Sequence, residues 1–493
     1  MGYTLTVYWA DKRYILHAEE GENLLNLLAR NEITVYAPCN GNGTCKKCMV
    51  TYASDTVNKQ VLACETTVTE NAQIWVPLIS GSGLTEHHNM QCDISGVGVG
   101  AAVDIGTTTV AAALIDFAGG ETIGSCAAIN PQHVCGADVI SRIAACAEGK
   151  LALQTSLIRK EVSALLENLC HTYKVTMLEA VTICGNTTML HLFCGIDPTP
   201  IGVAPFTPVF TQMQVFNGAS LGLPAKTVYV LPSASGYIGS DVICGILAQN
   251  LDHGGVRMLA DLGTNGELAL YDGEKLICTS TAAGPALEGA NIECGIGGIP
   301  GAICAAERSG NELILHTIDD ETPVGICGSG LVDLIALLLE CGAIEESGCF
   351  CEDCTDPFVK QRLRDNRFML TDKLWISQKD IRQFQLAKAA VCAGILTLCD
   401  YAKVDPKELE ALYIAGGLGY YINQASALRT GLIPPVFAGK ICAVGNSGLA
   451  GAVRCLIPQE RERAKQTAQA IRICELNSQA VFMEYFLEGM SFR

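Results

Sequence analysis

VDIGTTTVAAALI at residues 103–115 and ADLGTNGELALY at residues 260–271 are the stretches on which the fold turns. In each, an apolar run reads as a strand, an Asp stands near its end, a Gly–Thr turn follows and a second apolar run resumes. The carboxylates of Asp104 and Asp261 are placed to hold Mg2+ or its water. Gly106 with Thr107, Thr108 and Thr109, and Gly263 with Thr264 and Asn265, offer backbone N–H and hydroxyl donors to phosphate oxygens. One phrase recurring in two places predicts a duplicated fold with two hairpins facing each other across a triphosphate. Chemistry there would rest on positioning and on neutralising charge as it develops on the γ-phosphoryl group, which makes Asp104 and Asp261 the candidate catalytic residues.

Around these phrases, strand-like runs (AAVDIG, VAAALID, AVTICGN) alternate with helical text such as residues 156–173, the pattern of α/β architecture. A third phrase, YIAGGLGYYIN, puts Gly416 and Gly417 after a strand, where missing side chains let an adenosine lie close to the backbone. Toward the N-terminus, YTLTVY and KRYILH read as a β-hairpin. EGENLLNLLAR reads as an amphipathic helix, and residues 33–36 return to strand-like text before a Gly-rich cysteine loop. Hairpin, helix and loop suit a small β-grasp domain of the α+β class. The expected boundaries are 1–78 for that domain, 79–99 for a Gly/Ser-rich linker, 100–250 for a first lobe and 251–493 for a second.

Cys39, Cys45, Cys48 and Cys64 have the spacing C-x5-C-x2-C-x15-C. Three thiolates on one loop and a fourth on a following strand suit a [2Fe-2S] cluster, with Gly41 and Gly43 allowing backbone N–H groups to approach the sulfides. The spacing is the plant-type ferredoxin C-x4-C-x2-C with one extra residue, and such domains sit near about −400 mV. A closed zinc site is the alternative, although such sites usually pair two C-x2-C knuckles and only one is present here.

Composition narrows the rest. A formal charge of −18 with no Lys/Arg run gives no footprint for nucleic acid or anionic lipid, and 49% apolar residues over 493 positions allow large cores. No signal peptide and no apolar stretch of membrane-spanning length is evident, so a cytoplasmic location is expected. In such a chain 25 cysteines point to reduced thiols and metal ligands, and to an anaerobic cell, more than to disulfides.

The three Gly-containing phrases resemble the phosphate-1, phosphate-2 and adenosine motifs of the superfamily of actin, sugar kinases and heat-shock ATPases, a duplicated ribonuclease H-like fold. With the ferredoxin cysteines, NPQHVCGADVISRI, GNTTMLHL, AAGPALEGANIECG and ICGSGLVD, nearly the whole chain resembles the reductive activators of corrinoid proteins. That resemblance implies an ATP-hydrolysing iron–sulfur oxidoreductase that transfers electrons to the corrinoid protein of a methyltransferase system, taking Co(II) to Co(I). It implies a [2Fe-2S] cluster on Cys39, Cys45, Cys48 and Cys64, ATP and Mg2+ at the two hairpins, an upstream electron donor and a homodimer. Longer relatives carry an extra middle domain between ferredoxin and ATPase, for which the sequence reading finds no counterpart.

Other readings stay open at this level: a small-molecule kinase with a redox sensor, an ATP-driven donor to another low-potential metalloprotein, and a nucleotide-gated scaffold. Asn186, Thr187 and Thr188 read first as a strand-to-helix N-cap and second as a substrate contact. Glu288 reads either as a group touching metal or water or as a first-turn residue of a helix. Cys349, Cys351 and Cys354 read as a reduced surface loop, since no fourth ligand is evident, and the histidines, including His87 and His88, form no ligand pair.

Overall fold

The computed structural model describes residues 2–9, 12–31, 33, 35, 48–54, 58–76, 94, 96–263 and 265–492. Cys39 and Cys45, Thr264, His87 and His88 and most of the expected linker lie outside these residues.

The N-terminal domain is a five-stranded sheet ordered Lys12–Glu19, Gly2–Trp9, Ala72–Trp75, Met49–Ala53, Asn58–Leu62. Gly2–Trp9 pairs parallel with Ala72–Trp75, and the other neighbours pair antiparallel. That order, with one helix on the face, is the β-grasp arrangement. The helix, Leu24–Arg30, starts where the Asn23 side chain accepts the Asn26 N–H. Its Leu24, Leu25, Leu27 and Leu28 fill the core with Leu5, Val7, Val50 and Ile74. Truncating one such fully buried leucine to Ala costs about 2–5 kcal/mol. Ile33 and Val35 are buried here too, but form no strand.

The first lobe has a six-stranded sheet ordered Gln214–Asn217, Ala225–Val230, Leu178–Gly185, Val99–Ile105, Thr109–Asp116, Glu121–Ile129. The second has Ile441–Gly445, Ala411–Ala415, Arg257–Leu262, Gly266–Tyr271, Leu276–Thr281, Arg472–Ile473. In both, a three-stranded antiparallel meander opens the sheet and its first strand pairs parallel with a later strand. The duplicated fold expected from the paired hairpin phrases is therefore present. The strands carrying Asp104 and Asp261 are central in their sheets, and the Thr108–Glu288 and Asn446–Asp104 bonds tie their ends together between the lobes.

The helix Leu151–Thr172 covers the outer face of the first sheet. Ser240–Ala248 and Ser447–Arg454 pack on each other, and the latter returns from late in the chain to lie on Val99–Ile105 and Leu178–Gly185. Gln378–Ala402, long and apolar enough to span a bilayer by composition, is instead largely buried in the second lobe, capped by a reciprocal Ser377–Asp380 box. No described cysteine forms a disulfide.

Candidate functional site

Each hairpin closes on itself through one backbone bond. Gly106 N–H donates to the Thr109 carbonyl at 2.9 Å, and Gly263 N–H to the Asn265 carbonyl at 2.9 Å. A Cβ on Gly106 would lie 2.7 Å from the Thr109 oxygen, so the turn admits only glycine. Asp104 and Asp261 occupy equivalent places one residue from their strand ends. Across the ladder, Asp104 faces Ala111, whereas Asp261 faces Glu267.

The carboxylates share the cleft. Burial raises Asp104 above the usual carboxylate range, opposed by hydrogen bonds from Asn446 and Cys184. Burial and the Asp104 charge push Asp241 up to about 7, and burial with Asp241, Asp104 and Glu288 pushes Asp261 up to about 8. Glu267 is also raised, by burial and then by Asp241 and Asp261. Mutual repulsion of this kind is what a bound cation relieves. Among the described residues no three acidic, Cys or His side chains converge as a ready-made cage. A Mg2+ ion held by these carboxylates would draw most of its ligands from water and phosphate.

Glu288, in the short turn Pro285–Glu288, joins the two hairpins. Its Oε2 accepts the Thr108 hydroxyl at 2.9 Å, and its Oε1 lies 3.2 Å from where a Cβ on Gly263 would stand. Glu288 is thus a first-turn residue of a short helix, one of the two readings given for it, and from there its carboxylate touches the first hairpin. Asn186 is the N-cap expected of it, its Oδ1 accepting Met189 N–H at 2.9 Å, and its Nδ2 also donates to Thr107 Oγ1 of the first hairpin at 3.1 Å. Gly416, at φ +87°, sits where a Cβ would come within 2.7 Å of Asp261 Oδ1 and of the Leu262 carbonyl. The need for glycine there comes from the Asp261 strand end, and exposed Gly417 follows in the first turn of the helix Gly416–Tyr421.

Four functional residues escape the sequence reading. Arg142 is fully buried, donating from Nη2 to the Thr107 carbonyl at 2.6 Å and from Nε to the Gly136 carbonyl at 2.9 Å. Burial lowers its pKa to about 10, which leaves the guanidinium charged at neutral pH. Asn130 donates from Nδ2 to the Gly106 carbonyl at 2.8 Å, and Asn446 donates from Nδ2 to Asp104 Oδ2 at 2.8 Å. Asp241 lies in the first turn of Ser240–Ala248. Asn446 had a visible signal, since VGNSGLAG repeats the strand–Asn–helix pattern of ICGNTTML, and Asn130 and Arg142 stand in the phrase NPQHVCGADVISRI, which was read without assigning them a role.

In the N-terminal domain the Cys48 and Cys64 sulfurs lie 3.1 Å apart, and Cys64 N–H points at Cys48 Sγ at 3.4 Å. That separation is far beyond the ~2.05 Å of a disulfide, so the two cysteines are neighbours as free thiols, with a backbone N–H pointing at one sulfur. Cys349 is exposed beside Arg382, and Cys354 Sγ points to the Cys341 carbonyl.

Comparison with known proteins bears on the whole chain. Residues 255–493 match a family sequence model described as the C-terminal domain of RACo, the ASKHA domain, and residues 99–254 one described as the RACo middle region. The expectation that the relatives' middle domain has no counterpart here is overturned by this second match: residues 99–254, expected to start the ATPase straight after a linker, are the middle region and form the first of the two lobes. A corrinoid activation enzyme, RamQ, of Eubacterium limosum is 33% identical over 73% of this chain and 64% of its own length. A [Co(II) methylated amine-specific corrinoid protein] reductase of Methanosarcina barkeri is 27% identical over 58% of this chain and 57% of its own. The chain thus spans roughly three-fifths of the length of the curated relatives it matches. A solved reductive activator for corrinoid, iron–sulfur protein superposes with a TM-score of 0.74 at 25% identity, over 99% of this chain and 98% of its own. With the paired sheets, the facing hairpins and two adjoining family matches that together run from residue 99 to residue 493, the chain belongs to the family of reductive activators of corrinoid proteins.

Proposed function

We propose that the chain is a cytoplasmic, ATP-hydrolysing iron–sulfur reductase that returns an inactive Co(II) corrinoid protein of a methyltransferase system to Co(I). The observation that carries this reading is one chain holding both halves of the task. A β-grasp domain brings Cys48 and Cys64 to 3.1 Å, and the Thr108 hydroxyl of the first phosphate hairpin donates to Glu288, whose other carboxylate oxygen lies beside Gly263 of the second.

Cys48 and Cys64, with Cys39 and Cys45 from the same sequence motif, would hold the cluster. A [2Fe-2S] group there supplies one electron at a time at low potential. If the corrinoid couple lies ~100–150 mV below the donor, each transfer is uphill by roughly 2–4 kcal/mol, about two powers of ten in equilibrium constant. Binding and hydrolysis of ATP can offset that. Gly106, Thr107, Thr108, Thr109, Gly263, Thr264 and Asn265 would hold the phosphates, and Gly416 and Gly417 the adenosine side. Asp104 and Asp261 would hold Mg2+ through its waters. Glu288, in reach of both hairpins, is placed to orient the attacking water and take its proton. Turnover then opens and closes the lobes around the hairpins and alters the complex with the corrinoid protein. An upstream electron donor reloads the N-terminal domain, and a homodimer through the ATPase lobes completes the reading.

The test is anaerobic. Reconstituted protein, a chemical reductant and Mg-ATP are mixed with a Co(II) corrinoid protein, and the Co(I) absorption band is followed. Growth of the band only with ATP is the expected result. No Co(I) with an intact [2Fe-2S] spectrum and several corrinoid partners would sink the proposal and favour another low-potential acceptor.

A further inference from the structure

A buried histidine connects the first phosphate hairpin to the domain that carries the clustered cysteines. Asn130 caps the short turn Pro131–Val134 that follows the strand Glu121–Ile129, His133 lies within that turn, and both are buried. Asn130 is tied to the hairpin twice: its N–H donates to the Thr108 carbonyl at 2.9 Å and its Nδ2 to the Gly106 carbonyl at 2.8 Å. The Asn130 carbonyl faces His133 Nδ1 at 2.9 Å. On the far side of the ring, His133 Nε2 lies 2.7 Å from the carbonyl of Val35, a core residue of the β-grasp domain that precedes Cys39 by four positions. One imidazole therefore spans from the support of the nucleotide hairpin to the N-terminal domain.

The chemistry of the ring makes this contact divisible. Two carbonyl oxygens face its two nitrogens, and a neutral imidazole carries a single N–H. It can donate to Asn130 or to Val35, and the other contact then opposes two lone pairs. An imidazolium would satisfy both, but burial and the nearby Arg142 guanidinium disfavour the charged form. The site thus has two arrangements, differing in which carbonyl receives the proton. A small displacement of Asn130, carried from Gly106 and Thr108, selects between them.

We propose that His133 is the positioning residue through which nucleotide binding at the first hairpin sets how tightly the β-grasp domain is held against the first lobe. Nucleotide that draws the Gly106–Thr108 carbonyls, and with them Asn130, into one position fixes the tautomer of His133 and so makes or releases the bond to Val35. By linkage, the same factor must appear in reverse, as an effect of docking on nucleotide affinity, with coupling factors of this kind typically about 5–150-fold.

The inference rests on the nucleotide reading of the hairpins, and its test separates the two. Hydrogen exchange is followed by mass spectrometry on the full chain, with and without Mg-ADP or a non-hydrolysable ATP analogue, while calorimetry on the same preparation measures nucleotide affinity. In the wild type, exchange in peptides covering Leu24–Arg30 and Val35 should change several-fold with nucleotide. His133→Ala should bind nucleotide, with affinity altered by no more than about tenfold, and lose that dependence. His133→Gln, whose amide can still donate to the Val35 carbonyl, should restore part of it and guards against a folding defect in the alanine variant. A His133→Ala protein that keeps the wild-type nucleotide dependence, or a wild type that binds nucleotide with no change in those peptides, overturns the coupling alone. Absence of nucleotide binding by the wild type overturns both the coupling and the hairpin reading beneath it.

Discussion

The two phosphate hairpins stand on sheets connected in the same order, yet one is braced and the other is charged. At the first, the carbonyls of Gly106, Thr107 and Thr108 are taken up by Asn130 and Arg142, and the Asp104 carboxylate receives Asn446 and Cys184. At the second, the cross-strand neighbour of Asp261 is Glu267, and what acts on Asp261 is burial and the charges of Asp241, Asp104 and Glu288. Duplication copied a backbone that presents a turn to phosphate. The side chains then diverged, the first hairpin becoming a rigid donor frame and the second the acidic side on which a cation and an attacking water would sit.

The largest expected effect follows from that division. Asp261→Asn should lower ATP turnover by about 10²–10³-fold, because it deletes a carboxylate aimed at the cation. Asp104→Asn, whose place in the network is shared with Asn446, should lose less. Phosphate release measured side by side checks this, and equal losses would break the comparison. Glu288→Gln comes next, with kcat down about 10²-fold and KM within a few-fold, since the amide oxygen still accepts from Thr108 while the base is gone. A matching rise in KM would mean that Glu288 serves ground-state binding. Arg142→Met tests the brace: it leaves the Thr107 and Gly136 carbonyls without their donor, at about 1–3 kcal/mol of stability. Mg-ADP affinity should fall by roughly tenfold as the turn loosens, since 1.4 kcal/mol is a factor of ten. Calorimetry showing unchanged affinity would demote Arg142 to a core residue.

What was legible in the sequence follows the same line between backbone and side chain. The Asp-x-Gly-Thr phrases were readable because a phosphate turn constrains consecutive residues, and their recurrence gave the duplicated α/β fold. The β-grasp hairpin and its leucine helix were readable by period. Asn130 and Arg142 stood in the quoted phrase NPQHVCGADVISRI, but their contacts with the first hairpin, like the place of Asp241, were not readable, because each reaches the hairpins from an element that only the tertiary fold brings there. Residues 33–36 read as strand-like from composition; of these Ile33 and Val35 are described, and their side chains serve the domain core. The expected linker end at residue 99 runs one position into the strand Val99–Ile105. Gly416 was legible as a position without a side chain, read as room for adenosine, and the close approach of Asp261 and Leu262, distant in sequence and adjacent in space, adds a constraint that the sequence did not reveal.

The smallest effect sharpens the charge side of the comparison, and its sign is fixed by the carboxylates themselves. Asp241 titrates near 7 and Asp261 near 8 in the folded protein, against about 4 for an unfolded Asp. Between those values the folded state holds more protons than the unfolded one, so stability falls as pH rises. The contribution is fully present below about pH 4 and is lost once pH passes 7 to 8. Nucleotide-free protein in chelator should therefore unfold at progressively lower temperature from pH 5 to pH 8.5. Asp241→Asn removes one repelling charge and should raise the midpoint by a few degrees at pH 8 while changing little at pH 5. Because the Asp241 charge is one of the causes that raise Asp261, the variant should also shift the remaining slope to lower pH. Mg-nucleotide, by placing positive charge among the carboxylates, should flatten the wild-type slope as well. Thermal unfolding across pH, with and without Mg-ADP, reads all of this. A parallel slope in Asp241→Asn and wild type would mean that the acidity of the second hairpin is already compensated within the protein, and that its difference from the first is one of shape alone.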